Sequence, residues 1–277
     1  MPHITTDDGV RLHYEEVGSG TPILFLHEFA GDLRSWEPQV RFFSRTNRCI
    51  VYNARGYPPS DVPESFEVYS QDRARDDARC VLDHLKIERA HLVGNSMGGF
   101  ATLHFGMAYP ERAISLAICG CGYGAAPSER AAFQEGMRAL AKDMLDKGMQ
   151  YLADTYGRGP TRMAWERKDP RGYAEFRRMF AEHDPKGSAN TMLGYQARRP
   201  SLYDLKDRIA QVDVPALVVN GDEDDPCLEP GLMLRRTMKR CGHVVIPRTG
   251  HAMNLEEPTL FNTVIADFHA RAEAGRW

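Results

Sequence analysis

Ser96 stands in the run Leu92-Val93-Gly94-Asn95-Ser96-Met97-Gly98-Gly99-Phe100. Glycine lies two residues before it and two after, the G-x-S-x-G pattern of a serine held at a sharp strand-to-helix corner. Small residues are needed there because side chains at the flanking positions would strike the neighbouring strand and helix. A hydroxyl at such a corner projects above the sheet beside a helix N-terminus. The next N–H, that of Met97, then points to where an oxyanion would form. Alone the pattern is common and also describes a turn that merely packs well. A serine hydroxyl is a weak nucleophile until a base takes its proton, and a histidine base needs a carboxylate to fix its tautomer. Further on the chain offers Gly221-Asp222-Glu223-Asp224-Asp225-Pro226 and then Gly250-His251. On composition alone, Asp222, Glu223, Asp224 and Asp225 are all eligible as the carboxylate.

The elements that must position these residues read as strands alternating with helices. Residues 3–6 and 10–17 form a hairpin around Asp8-Gly9. Pro22 to Leu26, Cys49 to Tyr52, Ala90 to Val93, Arg112 to Cys119 and Val214 to Asn220 are apolar runs suited to strands buried on both faces. Helical spacing covers Trp36 to Phe43, Ser70 to Leu85, and the stretch after Ser96. Later it covers Leu232 to Arg240, and Leu260 to Phe268 after a strand at 243–247. The pattern predicts an α/β fold, a mostly parallel central sheet with helices on both faces. Loops after parallel strands share one sheet edge, so serine, acid and histidine can converge there. From about 122 to 200 no strand-like run occurs. Phe133, Met137, Leu140, Met144, Leu152 and Tyr156 recur at helical steps, with a break near Gly148. Asp169-Pro170 opens a further helix, and 191–198 suits a third. The reading is a core of residues 1–121 and 201–277 with a helical lid, 122–200, inserted before the penultimate strand.

Composition narrows the classes. The 277 residues are 42% hydrophobic and 26% charged, enough for a sizeable core, and the net charge of −3 shows no block of one sign. Nothing recommends a nucleic-acid partner, and no apolar run reaches membrane-spanning length. The six cysteines form no C-x-x-C pair and no zinc-ligand spacing, and no signal peptide is visible. A reducing compartment, the cytoplasm, is expected. The partner is expected to be a small-molecule substrate with an apolar portion; oligomeric state is not legible.

With these segments in order, the chain resembles the α/β-hydrolase fold superfamily over essentially its whole length, in its serine-nucleophile branch. The matching segments are His27-Glu28-Phe29, Asn53-Ala54-Arg55-Gly56-Tyr57, Gly94 to Gly99, Gly221 to Asp224, and Gly250-His251. The resemblance implies Ser96 as nucleophile and His251 as general base, then acid. It implies Asp224 as the orienting carboxylate, three residues after the glycine ending its strand. The oxyanion hole is then the backbone N–H groups of Phe29 and Met97, and no metal or organic cofactor is implied. His27 reads as a structural histidine bonded to backbone.

One position departs from the family: Glu28 stands where glycine is usual. Either its carboxylate points away and bonds loop amides, or it lies near the cleft, as a glutamate does at the comparable place in dienelactone hydrolases. In the second case it would tune the nucleophile or exclude anionic groups. A serine nucleophile suits an acyl-enzyme formed from a small carboxylic ester or lactone. The elbow wording is also similar to meta-cleavage product hydrolases, which split C–C bonds, but Ala252 stands where tryptophan commonly follows their histidine. An acyltransferase uses the same residues, and a non-catalytic ligand-binding member is the least favoured reading. The eight arginines from Arg158 to Arg199 read mainly as helix surface, with a substrate carboxylate as the alternative partner of one.

Overall fold

The alternation of apolar residues along each strand decides which face it presents to which helices. In a computed structural model describing residues 1–277, eight strands form one sheet. They are β1 (His3–Thr5), β2 (Arg11–Val17), β3 (Pro22–Leu26), β4 (Arg48–Tyr52), β5 (Ala90–Asn95), β6 (Ala113–Cys119), β7 (Ala216–Gly221) and β8 (Cys241–Ile246). Their order is β1-β2-β4-β3-β5-β6-β7-β8, with the β1–β2 and β2–β4 pairings antiparallel and the rest parallel. Leu24, Ile50, Leu92, Leu116 and Val218 face one side, where they pack with Val81, Leu82, Leu103 and Phe105. Ile23, Phe25, Val51, Val93, Ala117 and Val219 face the other, against Trp36, Phe43, Phe261, Ile265 and Phe268. Successive residues of one strand thus serve opposite cores.

The helices that cover the sheet are α1 (Glu37–Phe43), α2 (Gln71–His84) and α3 (Met97–Ala108). Between β6 and β7 come α4 (Arg130–Asp154), α5 (Met163–Lys168), α6 (Pro170–Ala181), α7 (Pro185–Asn190), a π-helical turn (Thr191–Gln196) and α8 (Lys206–Ile209). The chain finishes with α9 (Asp225–Thr237), α10 (Met253–Glu256) and α11 (Pro258–Glu273). The sheet order reverses at β3, which has β4 on one side and β5 on the other. The crevice beyond the carboxyl ends of β3 and β5 is where such sheets bind ligands. It receives the loops bearing Phe29 and Ser96.

The helical stretch after β6 builds a third core over that edge. Phe133, Met137, Met144, Leu152, Trp165, Phe176 and Phe180 pack with Phe29, Tyr57, Met97 and Ala252. α4 breaks where the spacing broke, at Gly148 with φ +78. Other boundaries differ from the sequence reading. α9 starts at Asp225, seven residues before the apolar spacing at Leu232, because Pro226 suits a first helical turn and Pro230 masks the interior. β8 begins at Cys241, and α5 and α7 are too short for a periodic pattern to register. No helix is long and apolar enough to cross a membrane.

Candidate active site

The corner between β5 and α3 holds Ser96 at φ +53 and ψ −114, a conformation that costs a non-glycine residue about 1–3 kcal/mol. Its surroundings leave no room to relax. A Cβ on Gly94 would lie 2.1 Å from the Gly98 carbonyl oxygen, and one on Gly98 would lie 2.0 Å from that of Leu26. The Ser96 N–H donates to the Cys119 carbonyl (2.8 Å), which ties the corner to the end of β6.

Asp224 and His251 follow β7 and β8, and both are buried. Their contact is 2.7 Å from imidazole Nδ1 to carboxylate Oδ2. A carboxylate only accepts, so Nδ1 carries the proton and Nε2 keeps its lone pair. Burial alone would lower the His251 pKa, but the facing Asp224 carboxylate outweighs it and raises the pKa above the ordinary 6.5. Burial would raise that of Asp224, and His251 opposes it so that the carboxyl lies below its usual range. The other acids of that loop have separate duties: Asp222 accepts from the Thr249 N–H (3.1 Å), Glu223 pairs with Arg167 (2.5 Å), and Asp225 opens α9.

The backbone around His251 is held from three directions. Glu256 accepts the N–H groups of Gly250 (2.8 Å) and Ala252 (3.1 Å). The Thr161 carbonyl accepts the His251 N–H (2.8 Å), and Asn95 Nδ2 donates to the His251 carbonyl (3.2 Å). Gly120, at φ +54, passes beside the ring, with its missing Cβ 3.3 Å from Cε1. Ser96 Oγ itself forms no hydrogen bond; the two loops are linked through Asn95 and through Cys119-Gly120. His27 behaves as a structural histidine, its Nδ1 donating to the Glu28 carbonyl (2.7 Å) and its Nε2 accepting from the Ala54 N–H (3.0 Å).

Phe29 follows β3 and is buried, and its N–H has no acceptor in the protein. Its carbonyl accepts the Tyr57 hydroxyl (2.9 Å). Met97 opens α3, where the first amides lack partners within the helix, and its carbonyl accepts the Tyr195 hydroxyl (2.7 Å). Glu28 meets neither description offered by the sequence in full. It bonds no loop amide; its carboxylate pairs two-pronged with Arg162, one arm at 3.0 Å, and both side chains are buried. Burial would raise the Glu28 pKa, yet Arg162 drives it below the ordinary value, so the pair is ionised. Glu28 also lies close enough to His251 to help raise the histidine's pKa, with Arg162 acting the other way. The Arg162 guanidinium stacks 4.8 Å from the Phe176 ring centre.

Sequence reasoning missed Arg162 as this partner, and Thr161, Glu256 and Asn95 as supports. Only Asn95 carried a signal, by standing inside the elbow. Glu28 and Arg162 are 134 positions apart, and no spacing rule joins them.

Two cavities adjoin these residues. One of about 450 Å³ is lined by Asp224, His251, Glu223, Asp225, Tyr123, Tyr156 and Arg162, among others. The second, about 30 Å³, touches Met97, Gly98, Tyr57 and Tyr195. In the larger one the only basic side chain besides His251 is Arg162, already bonded to Glu28.

Comparison with known proteins bears on the family and the fold. A family model for the alpha/beta hydrolase fold matches residues 21–258. A 2-hydroxy-6-oxononadienedioate/2-hydroxy-6-oxononatrienedioate hydrolase of Comamonas testosteroni is 30% identical over 268 residues, covering 94% of this chain and 91% of that protein. Among solved structures, the enol-lactonase from Burkholderia xenovorans LB400 superimposes with a TM-score of 0.84 at 25% identity, over 97% of this chain and 100% of that one. A thermophilic esterase from Thermogutta terrifontis gives 0.86 at 26% identity, over 98% of each chain.

Proposed function

Because the chain belongs to the alpha/beta hydrolase fold family, we propose that it is a serine hydrolase that cleaves a small carboxylic ester or lactone through an acyl-enzyme. The observation that carries this reading is one sheet edge bearing a serine at a strained elbow and a buried His251–Asp224 contact of 2.7 Å. Ser96 Oγ attacks the carbonyl carbon while its proton passes to His251 Nε2. The oxyanion is met by the N–H groups of Phe29 and Met97. Collapse expels the alkoxide, which takes the proton from His251 and leaves acyl-Ser96. Water then attacks, His251 receives its proton, and the acid departs with Ser96 restored. Residues 122–200 act as a lid, supported by their packing on Phe29, Met97 and Ala252. Six free cysteines support a reducing compartment, the cytoplasm.

The same site favours uncharged substrates over diacids. The substrate named for the Comamonas testosteroni relative is a dianion. In the larger cavity here Arg162 is neutralised by Glu28 and Glu223 is paired with Arg167, while Asp225 adds negative charge. A C–C hydrolase acting on such a diacid is therefore the second reading. A substrate panel decides between them: p-nitrophenyl esters of short and long acids, neutral lactones, and a vinylogous diketone diacid. Esters or lactones should lead by at least about tenfold in kcat/KM, and a lead for the diacid reverses the order. Acceptor alcohols added to the same assays expose acyl transfer as ester product. Ser96→Ala should cost about 10⁴-fold or more in kcat/KM and end labelling by a fluorophosphonate. Labelling that survives this substitution removes Ser96 from the role.

A further inference from the structure

Asp224 and His251 have a third neighbour. Cys227 lies in the first turn of α9, donates its N–H to the Asp224 carbonyl (2.9 Å), and is fully buried. A carboxylate oxygen of Asp224, the Cys227 Sγ and a ring nitrogen of His251 all lie within 4.8 Å of one another. We propose that these three side chains form a binding site for a thiophilic divalent cation, Zn²⁺ foremost, whose occupation switches the hydrolase off.

The ligand chemistry is that of zinc: one sulfur, one imidazole nitrogen and one carboxylate oxygen. Tetrahedral ligands at about 2.0–2.3 Å from an ion stand roughly 3.3–3.7 Å apart. The His251–Asp224 contact of 2.7 Å must open by about 1 Å or less, and a gap as wide as 4.8 Å must close by little more. Rotations about the side-chain bonds span such changes. The fourth position goes to water, since Asp224 and His251 both line the larger cavity, which also provides the entry route. Charge balance favours occupation. With a divalent ion, one thiolate, one carboxylate and one neutral imidazole sum to zero.

Inhibition follows from the proton count. The nitrogen facing Asp224 is Nδ1. When the ion takes Nδ1, the neutral ring must carry its proton on Nε2, and the Cys227 thiol proton is released to solvent. Nε2 then has no lone pair for the Ser96 proton, and Asp224 no longer orients the ring. Ion binding and base catalysis compete for one tautomer.

The inhibition rests on the hydrolase reading, whereas the binding does not, and the experiment separates them. The purified full chain is titrated with Zn²⁺ in chelator-free buffer while ester hydrolysis is followed. Activity should fall at least about tenfold at micromolar Zn²⁺, return with EDTA, and ignore millimolar Mg²⁺, a hard ion that avoids sulfur. Cys227→Ser, nearly isosteric, should need at least about tenfold more Zn²⁺, each variant being scored against its own metal-free rate. In parallel, Co²⁺ is added without substrate. A single thiolate-to-cobalt charge-transfer band should appear in the unaltered protein and in Ser96→Ala. It should vanish in Cys227→Ser and weaken in His251→Asn, which keeps every thiol. A chain that hydrolyses no ester, lactone or vinylogous diketone yet shows this band refutes the hydrolase reading and keeps the site. Equal Zn²⁺ sensitivity in Cys227→Ser, or a cobalt band that is absent from the start or survives Cys227→Ser, overturns the proposal.

Discussion

The 2.7 Å contact between His251 and Asp224 sets how activity should follow pH. The base works only in its neutral form, and its pKa lies above 6.5 because the Asp224 carboxylate outweighs burial. kcat/KM should therefore fall as pH drops through that raised pKa, from a plateau on its alkaline side. Asp224→Asn removes both the charge and the tautomer control. It should move the acid limb to lower pH and cut kcat/KM on the plateau by about 10⁴-fold. An acid limb that stays where it was would assign the pKa to another group. At this scale the sequence was most informative about residues that end strands beside glycine: Ser96, Asp224 and His251 could each be located by neighbours in the chain. Glu256 and Arg162 could not. Both act on residues brought to them by the folded backbone, and each resembles the many surface charges around it.

The β5–α3 corner and the Thr161-Arg162 turn carry the strain and the support. Gly98→Ala would place a methyl 2.0 Å from the Leu26 carbonyl, between β3 and α3, where neither backbone can yield. A loss of several kcal/mol is expected, read as a collapse in denaturant midpoint together with lost fluorophosphonate labelling. The Glu28–Arg162 pair makes a different prediction. Glu28→Gln leaves a buried guanidinium unpaired and should cost about 3–5 kcal/mol, whereas Glu28→Gln with Arg162→Met should cost less than either single change. Glu28→Gln should also lower the acid limb of kcat/KM, since Glu28 raises the His251 pKa and Arg162 then acts unopposed. A variant with unchanged stability and pH profile would reduce Glu28 to a bystander. Element types were legible wherever apolar spacing ran long, as in β3, β5 and α11. The first half of α9 was not, because Pro226 and Pro230 look like breakers although the first suits a helix start. The π-helical turn at Thr191–Gln196 was readable as helical, but its wider winding has no sequence signature.

The whole molecule should be acid-labile for reasons remote from the site. Burial without a hydrogen-bond partner pushes His104 down to about 3, and His269, buried and stacked on His91, lies well below its ordinary 6.5. Such a histidine binds its proton more readily in the unfolded chain. Its neutral form therefore costs nothing above pH 6.5, and stability is lost as pH falls below 6.5 towards the folded pKa. For His104 the loss at pH 5 is about 2 kcal/mol. Tm should drop between pH 7 and pH 5, and His104→Leu should drop less; an equal slope in both proteins would place the lability elsewhere. The helices between β6 and β7 raise a further matter, of exchange between relatives. They leave the sheet after the serine loop and rejoin it before the acid loop, so the chain could in principle trade them as one cassette. Yet the Thr161 carbonyl holds the backbone of His251, and Arg162 answers Glu28. A transplanted cassette would bring new walls but must also bring that two-residue corner, or its recipient must give up Glu28. In this chain the walls of the cleft are thus tethered to the catalytic base through that corner.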